Sequence, residues 1–154
     1  MASLGQPSPL SLMVRPAQDG DAIELAVLLT TLGYPCTAEE AGERLHALRL
    51  DPDQQLLVAD SHGELLGMLA YDLMYYLPLG VTTCRITALS VREHAQGQGI
   101  GRQLLREVEG RARQSGAARI ELTSAVHREE AHAFYRACGY AEQGLRFLKR
   151  LGDA

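Results

Sequence analysis

Apolar positions along this chain change their period several times, and each change marks an element. Residues 12–15 are a short apolar run stopped by Pro16, which reads as a first strand. Asp19 and Asp21 then offer N-caps to a helix whose Leu25, Leu28, Leu29 and Leu32 fall at i, i+3, i+4 and i+7, and Gly33 ends it. Thr37-Ala-Glu-Glu40 places a hydroxyl at an N-cap and a carboxylate three residues on, so a second helix runs through Ala41, Leu45 and Leu48 to Asp51-Pro52. The period then drops to two. Residues 56–59 and 65–71 flank Asp60-Ser-His-Gly63, which predicts an antiparallel hairpin whose second arm extends to Tyr76. Residues 85–91 predict the next strand, with Ile86, Ala88 and Ser90 on one face and Leu89 and Val91 on the other. Helical spacing returns at Ile100, Leu104, Leu105, Val108 and Ala112, stopped by Gly116. Residues 119–124 predict a strand, 129–138 a helix broken by Gly139-Tyr140, and 145–151 a last strand.

The order β-α-α-β-β-β-α-β-α-β implies an α/β fold with a mixed sheet and helices on both faces. No internal repeat or low-complexity stretch interrupts it, so the expectation is one domain over residues 12–154 behind a flexible leader, residues 1–11. With 46% apolar and 22% charged residues, the 154-residue chain has the composition of a globular domain, and no apolar run is long enough for a membrane span. Fifteen Lys and Arg against nineteen Asp and Glu give a net charge of −4, which disfavours nucleic acid as a partner. Three widely spaced cysteines, Cys36, Cys84 and Cys138, fit a reducing compartment better than a disulfide framework. The leader carries no Lys or Arg and no apolar core of a secretory signal, so the expected location is cytoplasmic. His127 and His132 stand about 140° apart on a helix and do not converge, and no metal is expected.

Chemistry concentrates in Val91-Arg-Glu-His-Ala-Gln-Gly-Gln-Gly-Ile-Gly101-Arg, where a strand ends, the chain turns through three alternate glycines, and a helix begins. A helix start presents unpaired N–H groups and the positive end of the dipole, and glycines there admit phosphate oxygens close to the backbone. Gln96, Gly97, Gln98, Gly99, Ile100, Gly101 and Arg102 thus form a candidate anion cradle. A tight strand-to-helix turn that needs glycine only for its φ angles explains the same pattern. A dinucleotide fingerprint starting at Gly97 would need glycine where Arg102 stands, and no P-loop string exists.

Gln96-x-x-Gly99-x-Gly101 does match the Q/R-x-x-G-x-G/A motif, and the chain resembles the GCN5-related N-acetyltransferase (GNAT) superfamily over residues 12–151. Residues 86–91 look like that fold's fourth strand, and residues 131–140, with Tyr135 and a Gly-aromatic end, like its later helix. The resemblance implies splayed central strands, with the pyrophosphate of acetyl-CoA (coenzyme A) held by the amides of residues 96–102. It implies a pantetheine arm paired with the backbone near Leu89, Ser90 and Val91, and the N–H of Leu89 or its neighbour on the developing oxyanion. Tyr135 would protonate the departing thiolate; without the resemblance, its apolar helical face reads as core. The superfamily often has Asn seven residues before the Tyr, where it contacts the pantetheine; here Arg128 stands there, and the role it would take instead is the approach to a coenzyme A phosphate.

Glu121 is a candidate general base on the splayed strand, with a surface carboxylate as the alternative. The resemblance implies that the first two helices and the loop after the long strand border the open side of the cleft, where Tyr34, Asp72, Tyr75 and Tyr76 would be available to hold a cationic amine by charge and cation–π contact, while packing or a subunit interface also explains the tyrosines. The expected function is transfer of an acetyl group to a small-molecule primary amine by direct attack in a ternary complex. A protein N-terminal or lysine acetyltransferase and a silent acyl-CoA-binding module are the alternatives, and a homodimer is the expected assembly for the family.

Overall fold

Five strands form one sheet in chain order: β1 (Met13–Pro16), β2 (Gln54–Ser61), β3 (Glu64–Tyr76), β4 (Val81–Val91) and β5 (Arg119–Leu122). The computed structural model describes residues 11–123 and 129–152. The leader before Ser11, Ser124, His127 and Arg128 lie outside the described residues. The first four strands are antiparallel neighbours. Between β2 and β3 the turn is His62-Gly63 alone, both at positive φ, with the Gly63 N–H on Asp60 Oδ1 at 2.7 Å.

β5 begins where the Ala118 N–H donates to the Thr82 carbonyl at 2.9 Å. An antiparallel strand starting there would run off the front of β4 at once, so β5 is parallel, and the sheet is mixed. Its four residues are spent before β4 reaches Leu89.

Helices α1 (Ala22–Leu32) and α2 (Ala38–Arg49) cover one face of this sheet, and α3 (Ile100–Gln114) covers the other. Gly33, at φ 108°, stops α1, and the capping box closes the start of α2, with Glu40 N–H on Thr37 Oγ1 at 3.1 Å and Thr37 N–H on Glu40 Oε1 at 2.9 Å. Leu25, Leu28, Ala41 and Leu45 bury their side chains against Leu56, Val58, Leu65 and Met68. On α3 the predicted stripe of Ile100, Leu104, Leu105, Val108 and Ala112 is buried. It packs so close that a Cβ on Gly67 of β3 would stand 3.0 Å from Leu104 and 3.1 Å from Ile100.

One expectation about β4 is corrected. Pairing runs Gly67↔Val91 to Ala70↔Ala88 and then resumes at Tyr71↔Ile86, so Thr87 has no residue opposite it. Cross-strand partners share a face. Ile86 therefore lies on the α3 face with Tyr71, while Ala88 and Ser90 lie on the α1 face with Ala70 and Met68. Strict alternation fails because this bulge inserts one extra residue and reverses the phase.

Contacts divide the chain into two units, Met1–Glu121 and Leu122–Ala154. In the second, α4 (Glu129–Ala137) ends with Gly139 at φ 94° and the Tyr140 N–H on the Tyr135 carbonyl at 2.9 Å. Residues 145–151, expected as a last strand, form none: Leu145, Phe147, Leu148 and Leu151 are exposed. A strand needs an edge to pair with, and apart from the last residue of β5 the described part of this unit offers only α4.

Candidate active site

Arg92, the first residue after β4, fixes the entry to the glycine-rich turn. Its N–H donates to the Leu66 carbonyl at 2.8 Å, its Nε to the Leu65 carbonyl at 2.9 Å, and its Nη2 meets Glu24 of α1 at 2.8 Å. A single 3₁₀ turn follows at Glu93–Ala95, with Ala95 buried. The Gln96 N–H already donates to the Glu93 carbonyl at 3.4 Å, while its side-chain amide ties the turn back to the Val91 carbonyl at 3.1 Å. From residue 97 to residue 102 no backbone N–H has a hydrogen-bond partner among the described residues, and the first helical bond is Gln103 N–H to Gly99 C=O at 3.0 Å. Gly97 and Gly99 sit at φ 81° and 84°, and a Cβ on either would meet nothing within 4 Å. The positive φ angles satisfy the tight-turn reading. Six consecutive unbonded donors at a helix start leave the anion-cradle reading open beside it. Half-buried Arg102 makes no ion pair among the described residues.

Beside this turn β4 has a free edge. N–H groups alternate sides along a strand, and that of Arg92 points at β3, so those of Val91 and Leu89 point away from it. On that side β5 has ended, leaving the backbone of residues 89–91 without a strand partner among the described residues. The Ser90 hydroxyl turns to the α1 face and donates to the Leu28 carbonyl at 2.8 Å. With Glu24 at Arg92 and Leu28 at Ser90, α1 runs antiparallel to β4, four helical residues matching two of the strand at roughly 6 Å each. Tyr34, in the loop that follows α1, is exposed.

Below the bulge, on the face that α1 and α2 share, lies a charged cluster. Buried Asp72 accepts from Arg85 through both oxygens, Nε at 2.9 Å and Nη2 at 2.7 Å, and this carboxylate holds the guanidinium proton firmly, with Glu121 adding to the field. Glu121 accepts from Arg119 Nη2 at 3.2 Å, and the Arg119 guanidinium lies 4.7 Å above the Tyr76 ring. Of the expected acceptor-site residues, Asp72 is committed to Arg85, Tyr76 is capped by Arg119, and Tyr34 and Tyr75 stand exposed. The sequence reading missed Arg85 and Arg119. Asp72 and Arg85 lie thirteen apart, and only the hairpin register reveals them as partners. Cys84, on the opposite face, is fully buried, and its thiol is pushed up to about 11 by burial and then by Asp72.

In the second unit Tyr135 is half-buried on α4, its ring 5.5 Å from Phe134 and edge-on to Tyr140 at 6.4 Å. Among the described residues no group of three His, Cys, Asp or Glu is placed to hold a metal, and no helix is long and apolar enough to cross a membrane.

Comparison with known proteins decides the family: the description "Acetyltransferase (GNAT) family" matches residues 24–140, most of the chain. The chain belongs to the GNAT acetyltransferase family. That span starts at Glu24, the partner of Arg92, and ends at Tyr140, the ring beside Tyr135. Over 102 residues this GNAT chain is 37% identical to the aminoalkylphosphonate N-acetyltransferase of Salmonella typhimurium, covering 66% of each protein, just under two thirds of that relative's length. It is 30% identical over 133 residues to the aminoglycoside N(6′)-acetyltransferase type 1 of Stenotrophomonas maltophilia, covering 84% of this chain and 86% of the relative. A solved structure of a putative acetyltransferase from Agrobacterium tumefaciens superposes with a TM-score of 0.81 at 24% identity, covering 90% of this chain and 99% of the other, which shows a shared fold.

Proposed function

We propose that this chain is an acetyl-CoA-dependent N-acetyltransferase whose acceptor is a primary amine on a small molecule. The observation that carries the reading is the run of unbonded backbone donors at residues 97–102, with open space beside Gly97 and Gly99, adjoining the edge of β4 that β5 does not cover. Those residues suit a diphosphate followed by an extended amide-bearing arm, the amides of residues 97–102 taking the diphosphate and the backbone of Leu89 and Val91 the arm. Bound there, acetyl-CoA supplies an acetyl group activated as a thioester. The N–H of Leu89 or its neighbour supports negative charge on the acetyl oxygen. The amine arrives neutral, its proton passing to Glu121 or to water, and the Tyr135 hydroxyl gives a proton to the departing sulfur. Relatives named for aminoalkylphosphonate and aminoglycoside acetylation favour a small-molecule acceptor over a protein N-terminus or lysine.

Release of free coenzyme A, measured over a panel of small amines and peptides, tests this. Turnover on small amines is expected, and Tyr135→Phe should lower kcat about 10- to 100-fold while coenzyme A affinity changes little. Turnover confined to peptides would move the acceptor to proteins. Coenzyme A binding with no release for any amine would leave a silent binding module.

A further inference from the structure

The charged cluster below the bulge has a lopsided hydrogen-bond inventory. Its two carboxylates are engaged, Asp72 through both oxygens by Arg85 and Glu121 by Arg119. Its two guanidiniums are not used up. Nη1 of Arg85, and Nε and Nη1 of Arg119, donate to nothing among the described residues. Both side chains are partly open to solvent, at 44% and 35%. A cationic group approaching this face finds one open carboxylate oxygen, Oε1 of Glu121, whereas an anionic oxyacid finds three donor nitrogens with no partner among the described residues. Both donors are also held in place. Asp72 aims Arg85 from below, and the Tyr76 ring carries Arg119, so less side-chain freedom is lost when they bind.

The cluster stands at the right remove from the reacting centre. Arg85 precedes Leu89 by four residues, roughly 13 Å along β4, and a long arginine arm together with a short aminoalkyl acid spans that distance. Only Thr87 of the bulge and Ala88 intervene beyond Ile86, and Ile86 turns its side chain to the other face.

We infer that Arg85 and Arg119 form the specificity pair for the acceptor, which is an amine carrying a phosphonate or carboxylate on a short alkyl spacer. This assignment rests on the acetyl-transfer reading above.

Steady-state kinetics with 2-aminoethylphosphonate, β-alanine and n-propylamine test it, the first two separating phosphonate from carboxylate at matched length. The wild-type protein should favour at least one acidic acceptor over propylamine by tenfold or more in kcat/KM. Arg119→Gln should cut that preference at least tenfold, mainly through the acceptor's KM, and Arg119→Lys should restore part of it. Because a variant can misfold, methylphosphonate is added to the wild-type protein as well, where it should compete with the acidic acceptor. Equal use of the three amines, a parallel fall for all three in Arg119→Gln, or no competition by methylphosphonate would overturn the inference and leave acetyl transfer standing. No coenzyme A release with any amine would remove both.

Discussion

Asp21 shows how much a single side chain organises at the start of the fold. Its carboxylate takes Arg15 through both oxygens, at 2.9 and 3.0 Å, and the Gln18 N–H at 2.7 Å, while Arg15 also reaches Asp60 at 3.2 Å. The pair is largely shielded from water. The Arg15 hydrogen bonds, opposed in part by burial, hold the Asp21 carboxyl below its ordinary value of 3.8. A carboxylate with a lowered folded value stabilises the protein above its unfolded value, and that contribution disappears as the pH falls through the folded one. Asp21→Asn should therefore cost about 2 kcal/mol at neutral pH. In paired denaturant titrations the gap between wild type and variant should hold from pH 7 to 5 and close below about pH 4. Residues of this kind are half legible in sequence. Thr37 and Glu40 announce their capping box because both partners lie within one turn. Asp72 reads as an available anion because its partner is distant in sequence and the bulge at Thr87 sets which residue that partner is.

At the scale of elements, periodicity carried most of the fold. The stripes of α1 and α3 and the hairpin of β2 and β3 are local patterns, and local patterns survive folding. Strand formation at residues 145–151 depends on an edge elsewhere, which no local pattern encodes, and the phase of β4 depends on a bulge with no signature of its own. The glycine-rich turn was readable because its demand is steric. Gly99 is the left-handed N-cap of α3, a conformation that a β-branched residue strongly resists. Gly99→Val should weaken coenzyme A binding at least tenfold by calorimetry with the far-ultraviolet spectrum preserved. Gly110→Ala, in the interior of α3 with open space around it, should retain affinity and gain roughly 0.5–1 kcal/mol of stability.

For the whole molecule, a ligand that binds only the folded state must stabilise it. At a hundred times its Kd, acetyl-CoA should add about 2.7 kcal/mol. For a chain of 154 residues that is a rise in Tm of roughly 5–10 °C, read by differential scanning calorimetry. No rise at saturating ligand would count against the cradle at residues 97–102. The same experiment with an acidic amine alone reports on the cluster of Arg85 and Arg119.

Thr87, the residue with nothing opposite it, divides β4 into stretches that answer to different constraints. Above it, under the proposed function, recognition of the donor falls to main-chain amides, which nearly any side chain leaves intact. Below it, under the inferred acceptor site, the choice of acceptor falls to a few exchangeable side chains on the β3–β4 hairpin and β5. If both assignments hold, drift at positions such as 76, 85 and 119 redirects this protein to new amines while its grip on the acetyl donor stays as it was, which makes that hairpin the natural place to begin re-engineering its selectivity.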